Sequence, residues 1–170
     1  MDQFHPPVKD MIFALREVVG KGDLDSNLGF EDFDREFLET IYESASEITS
    51  EIIAPTNKDG DRHGVSIEDG KVSVPNGYAE AYDAYVDGGW PTLSCNPEYG
   101  GQGMPALISM PVNEMVMGAN FSWAHLVLLT NSAIRAVDAH ASEQLKDLYL
   151  EKLRSEEHTL NSSHLLISRM

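Results

Sequence analysis

Apolar residues stepping by three and four, cut into segments by proline and glycine, constrain this chain more than any other feature of it, because that spacing lines one face of a helix. Val8, Met11, Ile12, Leu15, Val18 and Val19 mark a first helix after Pro6-Pro7, with Gly20-Lys21-Gly22 as its stop. The polar, acidic run from Gly22 to Gly29 reads as a loop. Phe33, Phe37, Ile41, Ala45, Ile48 and Ile52 line a second helix, and Asp34, Glu36, Glu39, Glu43, Glu47 and Glu51 form its solvated side. Pro55 is expected to end that helix, since proline lacks the N–H that continues the ladder. A third pattern places Ala81, Tyr82, Tyr85 and Val86 inward and stops at Gly88-Gly89. Further helices are expected from Pro105 to Gly118, from Phe121 to Ala139 and from Ser142 to Leu153, with Ser142 as N-cap and Glu143 in the first turn. Between the second and third patterns, Val65-Ser66-Ile67 and Lys71-Val72-Ser73-Val74 alternate around Glu68-Asp69-Gly70, which predicts a small exposed β-hairpin closed by Pro75-Asn76-Gly77. The expectation is a mainly α chain, a helical bundle with one small β-hairpin. Its 170 residues suffice for one such core.

Charge narrows the partners. Twelve Lys and Arg stand against 28 Asp and Glu, a formal net charge of -16. Binding to nucleic acid requires clustered cations, and an anionic leaflet repels such a surface, so neither is expected as a partner. Cys95 is the single cysteine, which excludes an internal disulfide and fits a reducing compartment. No apolar run approaches the roughly 20 residues of a membrane span. Met1 to Pro7 carries neither a basic nor an apolar leader region. A cytoplasmic location is the expectation.

Motifs taken singly yield no catalytic centre and no metal site. Gly100-Gly101-Gln102-Gly103 is glycine-rich, but no Lys-Ser/Thr follows it and no strand precedes it, so it fits neither nucleotide-loop template. Asn57-Lys58-Asp59-Gly60-Asp61 has oxygen ligands at calcium-loop spacing, yet Arg62 stands where the sharp turn demands glycine. His63, His125 and His140 lack metal-ligand spacing, and His125 reads as a core or pocket-lining residue on an apolar helix. Met104, Met110, Met115 and Met117 cluster around one helix, which suits core packing or an adaptable pocket.

The order of the segments carries more. Gly88-Gly89-Trp90-Pro91-Thr92-Leu93, then Pro97-Glu98-Tyr99-Gly100-Gly101-Gln102-Gly103-Met104-Pro105, then Asn113-Glu114-Met115 with Ala119-Asn120, resembles the N-terminal helical domain of acyl-CoA dehydrogenases. Ala133-Ile134, Ala139-His140-Ala141-Ser142-Glu143-Gln144 and Tyr149-Leu150-Glu151-Lys152-Leu153 continue the likeness, with Ala141 and Glu151 where the family usually has Gly and Pro. Phe4 to Phe13 and the region from the hairpin to Trp90 resemble the subgroup that includes 3-(methylthio)propanoyl-CoA dehydrogenase-like enzymes. The resemblance implies α,β-dehydrogenation of an acyl-CoA thioester: a carboxylate takes the α-proton while hydride from the β-carbon passes to N5 of FAD. It also implies that the glutamate base and the flavin-holding β-domain lie in parts this chain does not contain, so no catalytic residue is assigned. What it leaves here is pocket wall, at Tyr99, Gly100, Gly101, Met115, Asn120 and His125. For the full enzyme it implies FAD as cofactor, an electron-transfer flavoprotein as partner and a homo-oligomeric state.

After Leu153 the texture changes. Arg154 to His164 matches, residue for residue, a translated sequencing adapter read with one base dropped. The expected organisation is therefore 1–30 as an N-terminal extension, 31–153 as the helical domain and 154–170 as a non-native tail. The expected activity of the chain alone is nil. The alternative is a stand-alone acidic helical module that binds a partner protein and has no enzymatic activity.

Overall fold

The structure, a computed structural model, describes residues 4–19 and 33–154. The loop expected from Gly22 to Gly29 and the tail beyond Arg154 lie outside these residues. The described chain is helical apart from one hairpin: α1 (Val8–Phe13) running on through a wide π turn (Ala14–Val19), α2 (Arg35–Ile48), a π turn (Thr49–Ile53), α3 (Ala54–His63), β1 (Ser66–Glu68), β2 (Lys71–Ser73), α4 (Tyr78–Asp87), α5 (Ala106–Ala119), α6 (Phe121–His140) and α7 (Glu143–Arg154). Short 3-10 turns occupy Trp90–Thr92 and Pro97–Tyr99. The mainly α class with a small antiparallel hairpin is thus observed. Among the described residues no helix is long and apolar enough to cross a membrane.

Two compact units divide the chain, Met1–Gly88 with Pro105–Ala124, and Gly89–Met104 with His125–Met170. In the first, α2 is capped by Asp34, whose Oδ1 accepts from the Phe37 amide at 2.8 Å. It buries Leu38, Tyr42, Ala45 and Ile48, the inward series shifted by about one residue from the expected Phe37-Ile41 line. Phe37 and Ile41 are half-buried instead, and Ile52 is 40% exposed. The Tyr42 hydroxyl donates to the Ile108 carbonyl of α5 at 3.1 Å, in the turn before Pro111. Ile108, Val112, Met115, Val116 and Ala119 of α5 are buried. Tyr85 of α4 meets Trp123 edge to face, with centroids 5.5 Å apart.

Pro55 does not end the second helix. The backbone widens to a π turn at Thr49–Ile53 and resumes as α3, with Pro55 in the opening turn. A first-turn proline forfeits no donor the helix needs, and the π turn takes the ladder out of the register in which its ring would clash. Thr49 Oγ1 donates to the Ala45 carbonyl at 2.7 Å within this widened stretch. Asn57 to Asp61 is consequently helix, not turn, and offers no calcium loop. Asp59 pairs instead with His63 Nδ1 at 2.9 Å and accepts from the Asn76 amide at 3.1 Å. Helix α3 stops at Gly64, whose φ of 62° suits glycine.

The hairpin forms where expected. Ile67 pairs with Val72, and the turn residues Asp69 and Gly70 both have positive φ, 50° and 74°, as a two-residue type I′ turn requires.

In the second unit, Cys95, Ile134 and Leu150 form a core flanked by Tyr99, Val137 and Leu153. Ser142 stands just before α7, and its carbonyl accepts from Leu145 and Lys146 at 2.9 and 3.0 Å.

Candidate functional site

Tyr99, Gly100 and Gly101 sit on one folded-back loop. Residues 89–104 run out through two short turns and return on themselves. The amides of Gly101, Gln102, Gly103 and Met104 donate to the carbonyls of Asn96, Thr92, Cys95 and Leu93 at 2.8–3.0 Å. A side chain cannot fit at Gly101, because a Cβ there would overlap the backbone of Cys95. Gly100 adopts φ 83° to close the 3-10 turn. Gly101 thus serves a backbone-on-backbone approach, while a Cβ at Gly103, whose φ is 68°, would meet the Pro97 ring.

Gln102 completes the loop. Its Nε2 donates to the Gly89 carbonyl at 2.8 Å and to Thr92 Oγ1 at 3.0 Å, bridging the start of the loop to its end. Sequence reasoning used Gln102 only as a letter of the motif. The polar reach across 13 positions has no periodic signal that could have revealed it.

The Tyr99 ring packs on the Cys95–Ile134–Leu150 core, and its hydroxyl donates to Asp147 at 3.4 Å. Burial, and then the charges of Asp147, Glu143 and Glu98, raise its pKa above the ordinary value. Lys146 pairs with Glu143 at 3.0 Å, and that hydrogen bond raises its own pKa. The space enclosed by Cys95, Asn96, Tyr99, Ile134, Asp138 and Leu150 amounts to about 10 Å³, room for one water at most.

Met115 and Asn120 belong to the first unit, and both are completely buried. Asn120 Nδ2 donates to Thr56 Oγ1 at 2.9 Å and to the Tyr78 hydroxyl at 3.2 Å. Its Oδ1 accepts from the Trp123 amide at 3.0 Å, capping α6. Trp123 Nε1 closes the ring of contacts by donating to the Tyr78 carbonyl at 3.1 Å. Every polar atom of the Asn120 side chain is thereby engaged within the unit. His125, placed by the sequence in a core or pocket wall, is exposed on α6, whose Phe121, Leu126 and Leu129 are exposed as well.

Sites for drug-sized ligands enclose about 300–1,000 Å³. Besides the one-water space, a cavity of about 200 Å³ lies among Ile12, Phe13, Arg16, Glu17 and Arg35. Neither takes FAD. Among the described residues no group of His, Cys, Asp or Glu is placed to hold a metal ion.

The chain was compared with known proteins. The family description "Acyl-CoA dehydrogenase, N-terminal domain" matches residues 36–157. A 3-methylmercaptopropionyl-CoA dehydrogenase of Ruegeria pomeroyi is 33% identical over 150 residues, which is 88% of this chain and 26% of that protein. A broad-specificity linear acyl-CoA dehydrogenase of Mycobacterium tuberculosis is 27% identical over 71% of the chain and 20% of its own length. A butyryl-CoA dehydrogenase of Syntrophomonas wolfei is 25% identical over 88% of the chain and 25% of its own length. The chain thus spans about a quarter of the length of these relatives. The match over 36–157 reaches from α2 through α7 and includes the folded-back loop and the capped α5–α6 corner, and by it this chain belongs to the acyl-CoA dehydrogenase family, through that family's N-terminal domain.

Proposed function

We propose that the chain is the N-terminal helical part of an FAD-dependent dehydrogenase that converts an acyl-CoA thioester to the 2-enoyl-CoA. The observation that carries this reading is the family match across 36–157, joined to relatives all of which are dehydrogenases of acyl-CoA thioesters. Electron-transfer flavoprotein as acceptor, a homo-oligomeric enzyme and a cytoplasmic location belong to the same proposal.

The role of these residues is positioning. The folded-back loop presents Tyr99, Gly100 and Gly101 on a hydrogen-bonded backbone, Met115 and His125 stand on α5 and α6, and Asn120 joins those two helices. FAD, when bound to the whole enzyme, supplies the hydride acceptor. In this proposal the chain alone is inactive, since it spans about a quarter of the length of its relatives, and the proton transfer belongs to the remainder.

The test is to purify the 170-residue chain and assay it. No flavin absorbance and no acyl-CoA-dependent reduction of an artificial acceptor are expected. When the chain is extended in frame to the length of its relatives, both are expected. A yellow 170-residue protein that turns over acyl-CoA would overturn the inactivity. An extended protein with neither property would overturn the reading itself.

A further inference from the structure

The N-terminal arm lies across the C-terminal end of α5. Pro7, with φ -81° and ψ 66°, makes an inverse γ-turn in which the Val8 amide donates to the Pro6 carbonyl at 2.9 Å. That turn takes residues 4–6 off the line of α1. Phe4 then meets Gly118 of α5: a Cβ at Gly118 would stand 3.1 and 3.2 Å from the ring carbons Cε2 and Cζ. Phe4 is half-buried and Pro6 is buried. Arm and α5 both belong to the first unit.

The last turn of α5 is where a cover matters. Gly118 stands just before Ala119 and Asn120, and glycine is the weakest helix former after proline. With no side chain it leaves the hydrogen bonds of that turn open to water, among them the Asn120 amide donating to the Val116 carbonyl at 3.1 Å. A phenyl ring laid on the bare backbone supplies apolar cover. The arm itself is held by packing: among the described residues no hydrogen bond or ion pair joins residues 4–6 to α5. A segment held in this way opens at low cost and separately from the body it covers. We propose that residues 4–7 are a strap. Docked, the Phe4 ring secures the glycine turn at the end of α5; undocked, that turn frays while the rest of the first unit stays folded. Asn120 ends this turn and Met115 precedes it, so the strap bears on how firmly both pocket-wall candidates are held. The inference rests on packing within the first unit and stands without the flavin reading.

Hydrogen exchange of the 170-residue chain, read residue by residue by NMR, tests it. Phe4→Ala removes a partly buried ring and should speed exchange of the Ala119 and Asn120 amides about tenfold. The amides of Tyr42 and Ala45, buried in α2 of the same unit, should keep their rates. Phe4→Leu should retain most of the protection, because an apolar side chain still covers the backbone. Gly118→Ala, introduced into the Phe4→Ala chain, should slow the Ala119 and Asn120 amides about fivefold, since alanine strengthens the turn that the ring no longer covers. Equal acceleration at Tyr42 and Ala45 would make Phe4 a part of the common core and overturn the strap. Unchanged rates at Ala119 and Asn120 in Phe4→Ala, or no slowing on adding Gly118→Ala, overturn it as well.

Discussion

Asn120 reaches back 64 positions to Thr56, its Nδ2 donating to the threonine hydroxyl at 2.9 Å in the interior of the first unit. Thr56 Oγ1 in turn donates to the Ile53 carbonyl at 2.6 Å, at the last residue of the π turn. One side chain thus joins the start of α3, the tyrosine that opens α4 and the N-terminus of α6. Asn120→Ala removes a helix cap and leaves the Thr56 and Tyr78 hydroxyls short of a partner in a buried place. A loss of about 2–4 kcal/mol is expected from those two effects together. Urea unfolding of the variant beside Thr56→Val, which removes one partner and preserves the cap, should show the asparagine change to be the larger.

Gly101→Ala places a methyl group against the Cys95 backbone, where no side chain can yield. The loop must open or the unit must unfold, and a loss above about 2 kcal/mol is expected. Gly100→Ala meets a different obstacle, a φ of 83°, and should cost about 1–2 kcal/mol. The ordering of the two urea midpoints checks the assignment. Equal losses would mean that the close approach to Cys95 is not what the glycine serves.

How much of this was legible in the sequence depended on whether a residue's partners were local. The inward faces of α2 and α4 were readable to within about a residue, because one-sided burial leaves its period in the chain. The hairpin was readable because Asp69-Gly70 is turn chemistry with a fixed register. Pro55 misled for a physical reason: the proline rule assumes an α ladder, and the chain had already left it at Thr49. The apolar character of α6 hid which side was inward, since Trp123 and Val127 are buried while Phe121 and Leu129 on the same helix are 59% and 68% exposed. The likeness to a family drew attention to Asn120. Its contacts, 42 and 64 positions away, exist only in the folded unit.

Tyr42 and Tyr85 set an alkaline limit. Burial raises both hydroxyls well above their ordinary value of 10.0, so the fold favours the neutral forms. The stability this represents is fully present below pH 10, the unfolded value, and is lost as the pH rises toward the folded values. Each tyrosine subtracts about 1.4 kcal/mol per pH unit in that window, since the unfolded chain releases a proton the folded one keeps. The share of tyrosinate absorbance that Tyr42 and Tyr85 contribute should appear together with the loss of helix content above pH 10. Early ionisation of all the tyrosines with helix intact would refute the coupling.

Gln102 offers a sharper test of the folded-back loop, because its amide acts as a donor at both ends of the bridge. Gln102→Ala removes two exposed hydrogen bonds and should cost about 1 kcal/mol. Gln102→Glu is nearly the same shape but turns an acceptor toward the Gly89 carbonyl, so near pH 7 it should cost more than alanine does. A protonated carboxyl can donate again. The folded state therefore favours the protonated glutamic acid and raises its pKa above the ordinary value of about 4.3. Its contribution is present below the unfolded pKa and is lost as pH rises through the folded one. The gap between Gln102→Glu and the parent protein should accordingly be small near pH 4 and widen toward pH 7, while the gap for Gln102→Ala stays flat. Denaturation midpoints of the three proteins across that range give the answer, and parallel curves would show that the bridge to Gly89 contributes nothing to holding the loop.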